Sequence, residues 1–274
     1  MLAVADAEIR KLRHDPLELI MRAVQPTLWL VVFGQVMSRV HGVPTGRLNY
    51  LDFMAPGILA QSVLFIAIFY GVSAIRERDL GVLNKYMVSP ISRTAMVLGK
   101  ALSAGVRALS QAVIVYVLAL ALHIRATWEP LNVIGVLALV IMGSAVFSTL
   151  SLVIACIVKS HERIMGMGQV MTMPLFFASN AIYPIVLMPA WLKPIASVNP
   201  LTYEVDGLRA LMVQGGTSTL GLGADFAVLV AFAAVLTAIA TRLYPGLITQ
   251  TGRGAARRPL ATNVKLRRSP VCPS

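Results

Sequence analysis

Three apolar runs dominate the chain: Phe53 to Ile75, Leu131 to Val158 and Ile164 to Leu192 contain no Asp, Glu, Lys or Arg. Each exceeds the roughly 18 residues at which an apolar stretch is long enough to cross a bilayer as a helix. Three shorter runs, or runs with a charge near one end, are Ala23 to Ser38, Ser103 to Leu122 and Phe226 to Thr241. Together they predict an all-α integral membrane protein with six transmembrane helices, its membrane domain covering residues 23–248. Upstream, residues 5 to 22 mix charged groups with Ile9, Leu12, Leu17, Leu19 and Ile20. That pattern suits a helix lying in the interface, with Pro16 breaking it or starting its second part, so residues 1–22 read as an N-terminal cytoplasmic or interfacial helix, with a disordered tail as the alternative. Beyond Thr249 the residues turn to Gly, Pro, Arg and Ser, which cannot bury a core, and residues 249–274 read as a disordered basic cytoplasmic tail.

The polar interruption between the second and third runs, RERDLGVLNKYMVSPISRTAMVLGK from 76 to 100, carries its own pattern. After Arg76-Glu77-Arg78-Asp79, apolar residues recur at Leu80, Leu83 and Met87, which gathers them on one helical face and leaves Asp79, Asn84 and Lys85 for a soluble partner. Ser89-Pro90 ends this helix, because proline lacks an N–H and keeps the preceding residue out of helical geometry. Ser92 can then cap the helix that re-enters the membrane through Val97 and Leu98. A short cytoplasmic docking helix is the expectation; a solvated basic loop is the plainer alternative.

The fifth run is too proline-rich for one straight helix. Pro174, Pro184 and Pro189 interrupt it, and irregular backbone at membrane depth needs cover from protein or a water-filled cavity. The helix is expected to end near Asn180, with residues 181 to 210 dipping back into the outer leaflet as a re-entrant pair. Asn199-Pro200-Leu201-Thr202-Tyr203 then starts a helix carrying Glu204, Asp206 and Arg209. Asn199, Pro200, Tyr203, Glu204 and Arg209 are the candidate outer gate, lying near the outer surface. The alternative is a structured outer loop in which Glu204 pairs loosely with Arg209.

Composition agrees with the pattern: 57% of residues are apolar and 13% charged in 274. Orientation comes from the 24 Lys and Arg residues. With a cytoplasmic N-terminus the outer loops hold only Arg39, Arg47, Arg125, Lys193 and Arg209, and the rest fall on inner flanks and tail, as cytoplasmic flanks require. Both termini are therefore expected in the cytoplasm, at the cell membrane, and the net charge of +12 reports contact with anionic lipid rather than a nucleic-acid module. Cys156 and Cys272 both fall on the inner side, so no disulfide is expected, and their spacing fits no metal site. His14, His41, His123 and His161 lie in four separate flanks, with no His-Glu pair at helical spacing, and Asp52 and Asp225 stand at span ends rather than mid-membrane. No GxxxxGK[ST] phosphate loop exists, since Gly99-Lys100 is followed by Ala101, so the chain is not expected to bind ATP by that device. The charged N-terminus and late first span predict no cleavable signal peptide.

Three segments together resemble the permease subunits of type-2 ABC exporters, particularly the daunorubicin-resistance branch: RHDPLELIMRAVQPTLWLVVFG (13–34), RERDLGVLNKYMVSPISR (76–93) and PLFFASNAIYPIVLMPAWLKPIASVNPLTYEVDGLR (174–209). The resemblance spans about residues 10–245 and leaves out the basic tail. It implies a six-span subunit that pairs with a second copy or a sibling permease and binds two separate ATP-binding cassette subunits, which hold ATP and Mg; this chain carries no cofactor and no catalytic residue. Matched to the family's motif, Glu77, Arg78, Asp79, Gly81, Leu83 and Lys85 fall in the segment that transmits motion from those subunits. The family's transport route runs between two permeases along the second and fifth spans, which here carry Phe65, Phe69, Tyr70, Phe176, Phe177 and Asn180. Aromatics in a bundle also serve as packing. An apolar lining favours a drug, a lipid or another hydrophobic or lipid-linked metabolite over a long hydrophilic glycan.

Exporter permease is accordingly the leading function class. An ion-coupled secondary carrier would need carboxylates at mid-membrane, and a membrane scaffold would use the polar segment without ATP-driven motion.

Overall fold

The computed structural model describes residues 16–39, 48–79, 93–158 and 161–255. Among these the chain is helical, with one isolated bridge between Ala126 and Val213. In order, α1 (Pro16–Thr27) passes through a π-helical segment (Leu28–Gly34) into α2 (Gln35–Arg39). Then come α3 (Tyr50–Asp79), α4 (Arg93–Ala121), α5 (Pro130–Ile157) and α6 (His161–Phe177). After a 3₁₀ turn (Ile185–Leu187) follow α7 (Leu192–Val198), α8 (Pro200–Met212) and α9 (Leu222–Ala255).

Four stretches among the described residues are long and apolar enough to cross a membrane: Tyr50–Tyr70, Val97–Ala121, Pro130–Ile157 and Leu222–Leu243. The first and fifth apolar runs are helical too, but each is interrupted. Pro26 removes one backbone donor inside α1, and the helix widens into the π turn directly after it. There Gly34 lies against the side chains of Leu51 and Met54 on α3. No break separates an interfacial piece from the first apolar run over Pro16–Arg39, whose three segments follow without a gap; residues 5–15 lie outside the described residues. At the other end, α9 continues as helix beyond Thr249 to Ala255.

Helix α3 is the centre of the bundle and α9 its periphery: 78% of the α3 span is buried inside the protein, against 11% of the α9 span. α3 packs on α5, α4, α8 and α6, with Met54, Ile58, Leu59, Val63 and Leu64 fully enclosed. Small residues set these approaches, as expected where lipid supplies no hydrophobic drive between helices. Buried hydroxyls bond to backbone: Ser62 to the Ile58 carbonyl of its own helix, and Ser151 of α5 across to the Ile68 carbonyl of α3 at 2.6 Å. Large apolar side chains left outside, such as Val113, Val117 and Leu120 on α4, are what a lipid-facing surface needs.

One boundary differs from the sequence expectation. Arg76–Asp79 belong to α3 itself and do not open a separate docking helix, because nothing between Ile75 and Arg76 breaks the helical geometry. α4 begins at Arg93, the residue after Ser92.

Candidate functional site: the buried hairpin after α6

α6 stops at Phe177, three residues before the expected end near Asn180, and the chain turns back through residues 178–199 into α8. One side chain organises both helix ends. The Asn199 amide donates to the carbonyls of Leu175 (2.7 Å) and Ala178 (3.2 Å), which α6 would otherwise leave open, while its Oδ1 accepts from the Leu201 N–H at 3.0 Å. It therefore caps the end of α6 and the start of α8 together, with Pro200 at the first helical position where no donor is missed. The loop between is tied down by the Tyr50 hydroxyl, which donates to the Ile182 carbonyl, and by Ser179, which donates to the Phe176 carbonyl. Tyr183 donates to the Phe177 carbonyl and Tyr203 to the Ser197 carbonyl.

α8 then runs antiparallel along α5. A Cβ on Gly135 would meet Leu211, one on Gly207 would meet Leu139 at 2.9 Å, and one on Gly143 would fall on the carboxyl group of Glu204. At its far end Val213 bridges Ala126, and the Thr127 N–H donates to the Met212 carbonyl. α8 thus lies along the Pro130 half of α5, from about the midpoint of that helix at Gly143 to its Pro130 end.

Its charged residues face inward. Arg209, 6% exposed, donates through Nη2 to the Asn180 carbonyl (2.7 Å) and through Nε to the Phe53 carbonyl (3.4 Å). Its guanidinium lies 3.8 Å from the Phe53 ring centroid and 3.9 Å from Asp206. Asp206 accepts from the Thr219 N–H (2.6 Å) and hydroxyl (2.7 Å), the Ser218 hydroxyl, the Leu220 N–H and the Asn180 amide. Ser218 also reaches Asp225 at 2.7 Å, at the start of α9. The Asp206–Arg209 pair therefore joins α8, the α3 end, the hairpin loop and the entrance of α9 in one buried clasp. Alongside it, Gly57 touches the Ala181 backbone, where a Cβ would stand 2.8 Å from the Ala181 Cα.

This corrects the picture of a wet Glu204–Arg209 pair near the outer surface. Glu204 is wholly buried and does not touch Arg209, since five residues of separation turn the two side chains to different faces, whereas Asp206 at three residues shares the Arg209 face. Of the candidate gate residues, Asn199, Pro200, Glu204 and Arg209 are buried, and Tyr203 is half-buried. The candidate pathway residues divide. Phe176 and Asn180 are internal, Phe176 packing edge-on against Trp29 and Phe177. Phe65, Phe69 and Tyr70 are half-buried on α3, with Phe65 stacked on Phe69 and Tyr70 under the Arg107 guanidinium, and Phe177 faces outward. Glu77, Arg78 and Asp79 form the last turn of α3; Gly81, Leu83 and Lys85 lie outside the described residues. Sequence reasoning missed Phe53, Gly57, Ser218 and Thr219 altogether. Only the three-residue spacing of Asp206 and Arg209 could have signalled their pair.

The family profile of the ABC-2 type transporter matches residues 1–213. The chain belongs to that family. The matched region ends at the residue after α8, so the buried hairpin is its last part and α9 lies beyond. The daunorubicin resistance ABC transporter permease DrrB1 of Streptomyces coeruleorubidus is 27% identical over 233 residues, covering 85% of this chain and 81% of that one. The transport permease ycf38 of Cyanophora paradoxa is 29% identical over 205 residues, 73% of this chain and 70% of that one. Nodulation protein J of Rhizobium meliloti is 22% identical over 212 residues, 77% of each. As an ABC-2 permease the chain is a membrane subunit of an ABC transporter, and among its described residues no three His, Cys, Asp or Glu side chains group closely enough to hold a metal ion.

Proposed function

We propose that this subunit is an exporter permease that moves a hydrophobic or amphipathic substrate outward, driven by separate ATP-binding cassette subunits that hold ATP and Mg. In this reading six helices cross the cell membrane with both termini in the cytoplasm, the first and fifth crossings being α1–α2 and α6. Two permeases, identical or sibling, pair around a route flanked by α3 and α6, with Phe65, Phe69, Tyr70 and Phe177 available to it. Residues 77–85 receive the motion of the ATPase, and the hairpin from Asn180 to Arg209 forms the outer gate. Drug resistance in the name of the DrrB1 relative supports an amphipathic cargo.

The observation that carries the reading is the continuity of α3. One helix joins the Glu77–Asp79 end to Phe53 and Gly57, where the hairpin is held, so a displacement at one end has a stiff path to the other. The test is transport in vesicles containing the permease and the ATPase that co-purifies with it. Glu77→Ala and Gly81→Pro should leave insertion intact and abolish ATP-driven efflux, proline costing a helix about 3 kcal/mol. Full efflux in both variants would remove the coupling role.

A further inference from the structure

Glu204 takes no part in the clasp. It is 0% exposed, and neither carboxyl oxygen has a hydrogen-bond partner. It fills the space that Gly143 leaves by having no side chain, about halfway along the α5 span Pro130–Ile157 and hence near mid-membrane. Among the described residues no charged group bonds or pairs with it. α5 has no Asp, Glu, Lys, Arg or His between Pro130 and Val158. On α3, Asp52 accepts from the Arg125 N–H and Tyr50 donates to Ile182; on α9, Asp225 is held by Ser218. On α8 itself, Asp206 and Arg209 engage each other and Tyr203 donates to Ser197, while Lys193 of α7 is exposed. A lone carboxylate in such surroundings is far costlier than the acid, which carries its own neutralising proton as an O–H.

We propose that Glu204 is a proton-binding site in the membrane core, occupied while α8 packs on Gly143 and emptied when the hairpin moves. On opening, the Glu204 O–H bond breaks, its electron pair stays on the carboxylate and the proton passes to water entering between α8 and α5; on closing, a proton is taken back. The site deepens the exporter reading, and its link to transport rests on that reading. It also supplies the mid-membrane carboxyl that the sequence placed nowhere, because α8 is not itself a span.

Two measurements test it. Infrared spectra of the purified permease at neutral pH should show the carbonyl stretch of a protonated, weakly hydrogen-bonded acid, lost in Glu204→Gln. If that variant does not insert, Glu204→Asp should shift the same band. A wild-type band unchanged in area and position by either substitution overturns the proton site. In vesicles with the ATPase, the wild-type efflux rate should change severalfold with pH on the outer face, and Glu204→Gln should flatten the profile. A flat wild-type profile overturns release during transport. Absence of any ATP-driven efflux would remove the exporter reading instead, and the infrared result would still decide whether Glu204 binds the proton.

Discussion

Replacing Arg209 by alanine removes the centre of the clasp. The variant loses donors to the Asn180 and Phe53 carbonyls, the contact over the Phe53 ring and the countercharge of Asp206. Breaking a buried pair from one side costs about 3–5 kcal/mol, because the remaining charge stays in a poor solvent. Here the lower end applies. Asp206 keeps its bonds from Thr219, Ser218, Leu220 and Asn180, and chains unfolded within a membrane-like medium find other partners. A loss of about 3 kcal/mol is expected for Arg209→Ala, and about 1–2 kcal/mol for Arg209→Lys, which retains charge but not the forked donors. The double variant Asp206→Asn, Arg209→Leu should cost less than its two single changes together, by about 1–3 kcal/mol, since it leaves no unpaired charge. Denaturant unfolding of the purified permease, followed by loss of tertiary fluorescence at constant detergent, measures these variants and the two single changes Asp206→Asn and Arg209→Leu. An Arg209→Ala variant within about 0.5 kcal/mol of wild type, or a strictly additive double variant, would refute the clasp as a coupled unit.

Gly57→Ala should destabilise by about 1–3 kcal/mol, because the three atoms nearest the new methyl group are all backbone atoms of Ala181, which cannot rotate away; a melting temperature equal to wild type would count against the close contact. Asn199→Ala should cost about 2–4 kcal/mol by opening two carbonyls and one cap, and Asn199→Asp should recover the cap to Leu201 but not the carbonyls, a difference read in the same unfolding assay. Single cysteines at Thr45 and Thr127, in a background lacking Cys156 and Cys272, should react with an impermeant thiol reagent from outside, and one at Ser89 should not. The reverse pattern would invert the proposed topology.

The helical membrane class and the positions of α3, α4, α5 and α9 were legible in apolar run length alone, since a span needs only enough consecutive apolar residues. The break after Phe177 and the start of α8 at Pro200 were legible in the prolines and in Asn199, which act locally. The burial of α8 was not. Three ionisable residues in Glu204, Asp206 and Arg209 read as surface on any hydropathy pattern, and what neutralises two of them comes from Phe53, Asn180, Ser218 and Thr219. Those partners come from parts of the chain that local periodicity does not compare. The π turn after Pro26 was likewise hidden, because a proline announces a disturbed helix but not the form it takes.

The division of labour along α3 follows from where its contacts are strong. Its N-terminal end, the outer one in the proposed topology, is held by Asp52 to the Arg125 N–H, by Tyr50 to Ile182, by Phe53 to Arg209 and by Gly57 to Ala181, four attachments within its first eight residues. Farther along, the Ser151–Ile68 bond fixes it to α5. A helix of 30 residues is about 45 Å long, longer than the hydrocarbon core it would cross, and in the proposed topology its Glu77–Asp79 end projects on the inner side. Pro56 stands inside the clasped region and withholds one helical hydrogen bond there. Bending is therefore easiest at the very level where the hairpin is attached. If the ATPase displaces the inner end, a stiff shaft with a compliant, anchored outer turn would deliver the motion to Ala181, Asn180 and Arg209, and through α8 to Glu204 at Gly143. α9 packs on α5 and α8 but makes little contact with α3, so it is a poorer route for the same motion. The outer gate and the proton site would then be two consequences of one lever, and a disulfide clamping the α3 outer end to α5 should stop both without disturbing ATP binding by the partner.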